Sequence, residues 1–223
     1  PSLISHPLCH PQLEGLCSFL QLSACPEPIL GRFCRGLLAL TPDLSYTSAA
    51  VLAEQLFLRR VLSLTQPPSR HLMAALASFC SKYSQPFCRV VVAAVLQEPG
   101  EGAEQTKLVC ELVEDYLESH CVQLVLSQVL EVPLSEKLLP VVQSVLGRQV
   151  RGAPCARVSL LTSAALEQGP PYPLLGLFQE VLPPELLDLL VLTLCRQGSA
   201  FATSLDYAKL VTAMLTTYQG QVS

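Results

Sequence analysis

Histidine and cysteine side chains, which can bind metals, come closest together near the amino terminus, at His6, Cys9, His10 and Cys17. A structural zinc site needs four such ligands in tetrahedral geometry. The spacing Cys-x-x-Cys, which supplies half of many zinc sites, is absent from the chain. Pro7 and Pro11 instead favour a loop that leads into a first helix. We therefore expect neither a metal site here nor another cofactor.

Sequence motifs of common enzyme active sites are missing. The chain has no Gly-x-Ser-x-Gly turn, no Gly-Lys-Ser/Thr phosphate loop, no Gly-x-Gly-x-x-Gly turn and no His-Glu-x-x-His pair. Gly100-Glu101-Gly102 has two glycines but places a carboxylate where a phosphate would lie. We predict that the protein is not an enzyme. A helical enzyme with a small-molecule pocket is the alternative, and it would require a deep cavity with converging titratable groups.

The densest charge in the sequence is acidic and lies at Glu111, Glu114, Asp115 and Glu118. Because these residues recur three and four positions apart, they share one face of a helix. Such a face is either solvated or a docking site for a basic partner. The basic pairs Arg32 with Arg35 and Arg59 with Arg60 allow the same two interpretations.

Apolar residues widen one face of the helix predicted near 47–64, because Phe57 and Leu58 lie beside its main apolar stripe. Internal packing and a partner interface explain this widening equally well. The candidate partner-binding residues are therefore Phe57, Leu58, Arg59, Arg60, Glu111, Glu114, Asp115 and Glu118.

Composition restricts the class of protein. Half of the 223 residues are apolar and only 14% are charged, compared with about 25% in a typical domain. No stretch reaches the roughly 20 apolar residues of a membrane-spanning helix, and the first residues lack the pattern of a secretory signal. The net charge of -4 disfavours binding to nucleic-acid phosphates. We expect an intracellular fragment that binds other proteins and contacts neither membranes nor nucleic acid directly.

Ten cysteines are spread along the whole chain instead of forming the dense framework of a small secreted domain. Cys17, Cys34, Cys80, Cys110 and Cys195 fall among leucine, phenylalanine and valine at helical spacing. We predict that these are buried reduced thiols, which pack as small apolar groups.

Apolar residues three and four positions apart, interrupted by proline or glycine, predict an all-α fold. Ser69 and Ser135 are predicted to cap helices and Thr203 with Asp206 to form a capping box. Pro140 should kink its helix or tighten the first turn. The pattern gives about twelve helices, near 13–20, 29–38, 47–64, 69–80, 86–95, 103–118, 119–130, 135–149, 155–167, 174–182, 185–197 and 205–218.

Consecutive helix pairs span roughly 35 to 40 residues, close to the length of two-helix repeats. One pair cannot bury its own apolar face, whereas stacked pairs form a continuous core. We therefore predict a single domain over 1–223, folded as an elongated solenoid of stacked antiparallel helix pairs. Its long surfaces would dock partner proteins.

Short segments along the chain match a known family in order and spacing. They are Thr41-Pro42-Asp43-Leu44-Ser45, Leu56-Phe57-Leu58, Leu62-Ser63-Leu64-Thr65, Ser78-Phe79-Cys80 with Lys82-Tyr83, Val95-Leu96-Gln97 with Pro99-Gly100, Gln105-Thr106, Thr203-Ser204 with Tyr207-Ala208-Lys209-Leu210, and Tyr218-Gln219. By these segments the chain resembles the C-terminal domain of the Fanconi anaemia complementation group E family. Between about 152 and 197 the similarity is only that of helices in general.

The resemblance implies HEAT-like helical repeats and a non-catalytic adaptor in the nucleus. The adaptor would belong to the core ubiquitin ligase complex that monoubiquitinates a Fanconi pathway substrate during repair of DNA interstrand crosslinks. Its expected partners are other core subunits, especially group C, and the substrate protein group D-two. The family domain continues into a helical tail with a Phe-Leu pair implicated in substrate binding, whereas this sequence stops at Ser223. We therefore assign no substrate-contact residue, and the alternative is a helical-repeat scaffold of another intracellular assembly.

Overall fold

A computed structural model describes residues 10–39, 43–100, 102–151 and 182–218 of the chain. Every regular element in these ranges is helical, and they contain no strand. The predicted all-α class is therefore confirmed. Within the same ranges, no helix is long and apolar enough to cross a membrane.

The helices follow one another with short connections. Turns of π-helix at Glu54–Leu58 and at Cys88–Val92 each join one α-helix to the next without a break. Counted as continuous rods, the described residues form nine helices. The helices predicted near 155–167 and 174–182 lie outside the described residues, so the total of twelve stays a prediction. The bounds are α1 His10–Phe19, α2 Glu27–Leu38, α3 Tyr46–Ala53, α4 Arg59–Leu62, α5 Arg70–Phe87, α6 Ala93–Gln97, α7 Ala103–Asp115, α8 Ser119–Glu131, α9 Leu139–Arg151, α10 Pro184–Gln197 and α11 Leu205–Thr217.

Serine side chains cap three of the described helices, α3, α5 and α11. The Ser69 hydroxyl accepts a 3.1 Å hydrogen bond from the backbone N–H of Leu72, as predicted. Ser204, not Thr203, caps α11, because its hydroxyl accepts from the N–H of Tyr207 at 3.1 Å. The predicted capping box was therefore placed one residue too early. Each cap satisfies an N–H group that the first helical turn leaves without a partner.

Proline shapes the start of α9. Pro140 is the second residue of α9 and follows a turn of 3-10 helix at Glu136–Leu138, so the predicted tightening of the first turn is confirmed. A proline there breaks no helical hydrogen bond, since its position has no N–H partner within the helix. Ser135 precedes the turn but its side chain makes no capping hydrogen bond, and that predicted cap is wrong.

The long helix α5 is kinked at Tyr83, where φ is -124° and ψ is 42°. Pro86 lies three residues later and lacks the N–H that would bond to the preceding turn. The predicted boundary between 69–80 and 86–95 is therefore a kink inside a continuous helix. The hydroxyl oxygen of Tyr83 accepts from the backbone N–H of Leu44 at 3.2 Å, which fixes the kink against the segment before α3.

The helices pack in two rows that alternate along the chain. In the first row α1 packs on α3, α3 on the turn Cys88–Val92, α6 on α8, and α8 on α10. In the second row α2 packs on α5, α7 on α9, and α9 on α11. Contacts between α3 and α5, α6 and α7, and α8 and α9 join the rows. One continuous apolar core results, because contacts within and between the rows bring residues of the described helices into the same buried cluster.

Polar side chains join successive helix pairs at a regular sequence separation. The donors lie 31 to 44 residues after the backbone carbonyl groups that accept from them. Several acceptors lie at or just beyond helix carboxyl ends, where carbonyl groups lack helical partners and the helix dipole favours cations. The separation matches the predicted pair length, whereas an elongated solenoid stays a prediction. The donors are Arg60, Lys82, Gln105, Lys137 and Arg148.

Candidate functional site

Phe57 lies in the core. Its side chain is 0% exposed, and its ring meets those of Phe79 and Phe87 edge to face, with centroids 5.2 and 5.9 Å away. Of the two interpretations of this residue, the structure shows internal packing. The edge-to-face geometry is the one that aromatic pairs prefer in protein cores.

Arg60 connects α4 to the turn after α1. Its guanidinium donates to the backbone oxygen of Leu22 at 3.2 Å and to that of Cys25, and its Nε donates to the oxygen of Leu56 at 3.0 Å. These bonds use the side chain inside the fold. Arg60 therefore positions helices and is only half-exposed.

Leu58 and Arg59 line an open groove beside α3 and α4. Leu58 is half-buried and Arg59 is exposed, so both reach the surface. The groove has a volume of about 540 Å³, and the stem of Leu58 gives it an apolar wall. We refer to it as the α4 groove. Its lining residues are Ser23, Glu54, Gln55, Leu58, Arg59, Leu62 and Ser63.

Three of the four predicted acidic residues line a second groove, between α7 and the start of α9. Glu111 and Asp115 are exposed at its rim, and Glu114 is half-buried and accepts from the Ser144 hydroxyl at 2.8 Å. The cavity measures about 460 Å³, and Cys110 and other small side chains form much of its floor. We refer to it as the acidic groove. Its lining residues are Ala103, Thr106, Lys107, Cys110, Glu111, Glu114, Asp115, Lys137 and Pro140.

The two lysines of the acidic groove have partners elsewhere. Lys107 Nζ lies 2.7 Å from the Glu104 carboxylate. Lys137 donates to the backbone oxygens of Val95 and Glu98, at the end of α6. The charge of Lys107 is balanced by Glu104, and the three carboxylates that line the groove outnumber the single charge of Lys137, so the groove has a negative potential. A basic side chain that entered the groove would meet an apolar floor and a negative rim.

Glu118 belongs to a different site because α7 ends at Asp115. It precedes the first turn of α8, where its Oε2 lies 3.4 Å from Nδ1 of His120. Both side chains line a third cavity of about 320 Å³ at the kink of α5. An ion pair of 2.6 Å between Lys82 and Asp43 forms the opposite wall of this cavity. The four predicted acidic residues thus divide between two surfaces.

The cysteines differ in environment. Cys17, Cys34 and Cys80 are buried free thiols, as predicted, and burial raises the pKa of Cys34 to about 12. Cys110 is half-buried. Cys195 is exposed on α10, so the prediction of burial is wrong there. Its helical spacing places Cys195 next to the apolar residues of α10. The buried face of that helix consists of Leu187, Leu190 and Leu194, and Cys195 lies outside it.

Sequence reasoning did not single out Cys88 and Cys121, which interact inside the core. Cys121 Sγ lies 3.2 Å from Nε2 of His120. The hydrogen bond from Cys88, followed by contacts with Ser84 and His120, lowers the pKa of Cys121 below its usual range. The sequence could have indicated this site through Glu118, His120 and Cys121, which are close together in the chain. It could not have indicated Cys88, whose position depends on the packing of another helix.

Metal binding was weighed for His6, Cys9, His10 and Cys17. His6 and Cys9 lie outside the described residues, and Cys17 is buried in α1. Among the residues that the structure describes, no three or more histidine, cysteine, aspartate or glutamate side chains are grouped so that they could hold a metal ion.

The fold defines an all-α protein of stacked helices with grooves along its surface. The family model described as Fanconi Anaemia group E protein FANCE matches residues 3–169. The human Fanconi anemia group E protein is 40% identical over 217 residues, which cover 96% of this chain and 35% of the human protein. The chain therefore belongs to the Fanconi anaemia group E family, and it spans about a third of the length of that relative. The resemblance found in the sequence is confirmed.

Proposed function

We propose that the chain is a non-catalytic adaptor of the Fanconi anaemia core ubiquitin ligase complex in the nucleus. It bridges the complex to the substrate that is monoubiquitinated during repair of DNA interstrand crosslinks. Membership of the group E family supports the pathway. The two-row packing of the helices supports the mechanism, because stacked helices offer separate surfaces to different proteins.

The single observation that carries the adaptor role is the position of the two grooves. The α4 groove lies on the π-helical turn Glu54–Leu58 and on α4, which continue α3 of the first row. The acidic groove lies on α7 and α9, in the second row. Since the grooves belong to different rows, one partner can occupy each of them at the same time. An adaptor needs two such surfaces.

The stack itself extends as a solenoid of helix pairs. Support comes from the side chains that reach back about one pair, such as Gln105, which donates to the backbone oxygens of Leu62 and Leu64 at 3.0 and 2.8 Å. Lys82 makes the same kind of contact with Leu38 at 3.0 Å. A repeated contact between neighbouring pairs is the feature that lets a solenoid grow by addition of pairs.

The partners we propose are the group C subunit, for attachment to the complex, and the substrate protein group D-two. The acidic groove suits a basic segment of either partner, because Glu111 and Asp115 are exposed at its rim. The α4 groove combines the apolar Leu58 with one cation, Arg59, and one carboxylate, Glu54, and suits an apolar segment flanked by charged residues. No nucleic acid or membrane contact is part of this function.

Purified chain and purified group C subunit test the proposal in a pull-down assay. We expect binding by the wild-type chain and weaker binding either by the double variant Glu111→Gln with Asp115→Asn or by Arg59→Glu, depending on which groove the subunit occupies. Glu131→Gln is the matched control, because Glu131 is an exposed acid outside the grooves. A chain that stays helical by circular dichroism but binds neither group C nor group D-two contradicts the proposal. Binding to an unrelated assembly would favour a scaffold role elsewhere.

A further inference from the structure

Three buried thiols lie near the contact between α8 and the turn Cys88–Val92, two from these elements and one from α5. Cys80, Cys88 and Cys121 are each 0% exposed. The thiol of Cys88 is hydrogen-bonded to the sulfur of Cys121, and Ser84 also hydrogen-bonds to that sulfur. Because Cys88 and Cys121 come from different helices, a bond between their sulfurs would join two neighbouring elements of the first row.

An imidazole and a carboxylate continue from Cys121 toward the surface. Nε2 of His120 lies 3.2 Å from Cys121 Sγ, and Nδ1 of the same ring lies 3.4 Å from the Glu118 carboxylate. Cys121 is also the third residue of α8, where backbone N–H groups favour negative charge. A thiol beside an imidazole at a helix amino terminus is an environment that produces a reactive thiolate.

The two thiols titrate as a coupled pair. The hydrogen bond from Cys88 is the largest cause that lowers the pKa of Cys121, and the same bond, with burial, raises the pKa of Cys88. The interaction therefore favours the thiolate on Cys121 and the protonated thiol on Cys88. The other titratable groups around the pair are Glu118 before α8, His120 of α8, Cys80, Lys82 and Tyr83 of α5, and Asp43.

The cavity of about 320 Å³ at the kink of α5 brings small molecules close to Cys121. Ser84 and His120, which both contact the Cys121 sulfur, form part of the wall of this cavity. Only the side chains of Ser84 and His120 thus separate hydrogen peroxide in the cavity from the Cys121 sulfur. Larger reagents are excluded, because Cys121 itself has no exposed surface.

We propose that Cys121 is a peroxide-sensitive thiol with Cys88 as its resolving partner, and that oxidation closes a disulfide between α8 and the turn Cys88–Val92. The Cys121 thiolate attacks one peroxide oxygen and the O–O bond breaks. The leaving hydroxide takes up the proton that Cys121 released on ionisation, which gives water and a sulfenic acid on Cys121. The Cys88 sulfur then attacks the Cys121 sulfur, the S–O bond breaks, and the Cys88 proton leaves with the hydroxyl group as a second water. Two electrons pass from the thiols to the peroxide.

Peroxide treatment of the full chain at pH 7, followed by digestion without reductant and mass spectrometry, tests the proposal. We expect a Cys88–Cys121 cross-linked peptide that disappears after reduction. In the Cys88→Ala variant, where no resolving thiol remains, the Cys121 peptide should instead gain the mass of one to three oxygen atoms. Cys121→Ala should give neither product. Cys80→Ala is the matched control, because it removes a neighbouring buried thiol and should keep the cross-link.

Two further readouts separate this chemistry from general oxidation. His120→Gln should slow the oxidation of Cys121 more at pH 7 than at pH 9, where the thiolate forms without the imidazole. Peroxide treatment of the wild-type chain can refute the proposal by itself. The test therefore does not depend on whether every variant folds. If peroxide oxidises the exposed Cys195 while Cys88 and Cys121 stay reduced in a folded chain, the proposal is wrong.

Discussion

The guanidinium of Arg148 donates a 2.6 Å hydrogen bond to the backbone oxygen of Val113 and so joins α9 to the end of α7. The same side chain donates to the oxygens of Glu114, at 2.9 Å, and Leu117. Three carbonyl groups that the end of a helix leaves without helical partners are thereby satisfied. One half-buried cation thus fixes the position of two helices that both line the acidic groove.

Removal of this cation should destabilise the fold. We expect Arg148→Met to lower the free energy of unfolding by about 2 to 3 kcal/mol, because half-buried carbonyl groups lose hydrogen bonds to a charged donor. Urea denaturation followed by circular dichroism measures the change. Arg196→Met, at an exposed position of α10, is the control and should stay within about 0.5 kcal/mol of wild type. Equal midpoints for the two variants would contradict the assigned role of Arg148.

The aromatic cluster around Phe57 should be a major source of stability. We expect Phe57→Ala to cost about 3 to 5 kcal/mol, since it leaves a cavity among Phe79 and Phe87. Phe19→Ala is the comparison, because Phe19 is 84% exposed and its loss should change stability by less than about 0.5 kcal/mol. Chemical denaturation of both variants gives the answer. A small effect at Phe57 would mean that its side chain serves a partner surface and not the core.

Ser204 and Thr203 offer a paired test of the cap of α11. Ser204→Ala should lose about 1 kcal/mol, because the N–H of Tyr207 then has no hydroxyl acceptor. Thr203→Ala should be close to neutral, since Ser204 occupies the capping position. Thermal unfolding of the two variants distinguishes them. A larger loss at Thr203 would restore the capping box predicted from the sequence.

Burial of Cys34 predicts a specific dependence of stability on pH. The pKa of its thiol is raised from 9.0 to about 12 in the folded state. Between these values the unfolded chain loses the thiol proton while the folded chain keeps it, so this contribution to stability is complete below pH 9 and falls as pH rises. We expect the stability of wild type relative to Cys34→Ala to drop by up to about 1.4 kcal/mol for each pH unit in this interval. Urea titrations at pH 7, 9 and 10 in reductant measure it, and a constant difference would show that Cys34 is not excluded from solvent.

Helices and core residues could be read from the sequence because both depend on local spacing. The stripe that includes Leu72, Leu76, Phe79 and Cys80 is buried as expected. The exact cap of α11 could not be read, because Thr203 and Ser204 have similar propensities and the choice depends on where the preceding 3-10 turn ends. Residues at helix ends are decided by such small differences.

The candidate sites were predictable only in part. Spacing along α7 correctly grouped Glu111, Glu114 and Asp115, whereas Glu118 falls beyond the end of that helix. Arginine usually lies at the protein surface, but the fold directs the Arg60 guanidinium toward the backbone carbonyl groups of an earlier turn. Contacts between residues far apart in sequence leave no local pattern, so these assignments required the packed structure.

Crosslinking mass spectrometry of the intact assembly tests the central claim, the adaptor role, most directly. Lys107 is 70% exposed and lies at the acidic groove, and Glu54 is exposed at the α4 groove, so both can react. We predict that a lysine-specific reagent joins Lys107 to one partner protein and that a carboxylate-to-lysine reagent joins Glu54 to another. Crosslinks from both residues that remain within this chain, in an assembly shown to be intact, would contradict the adaptor role.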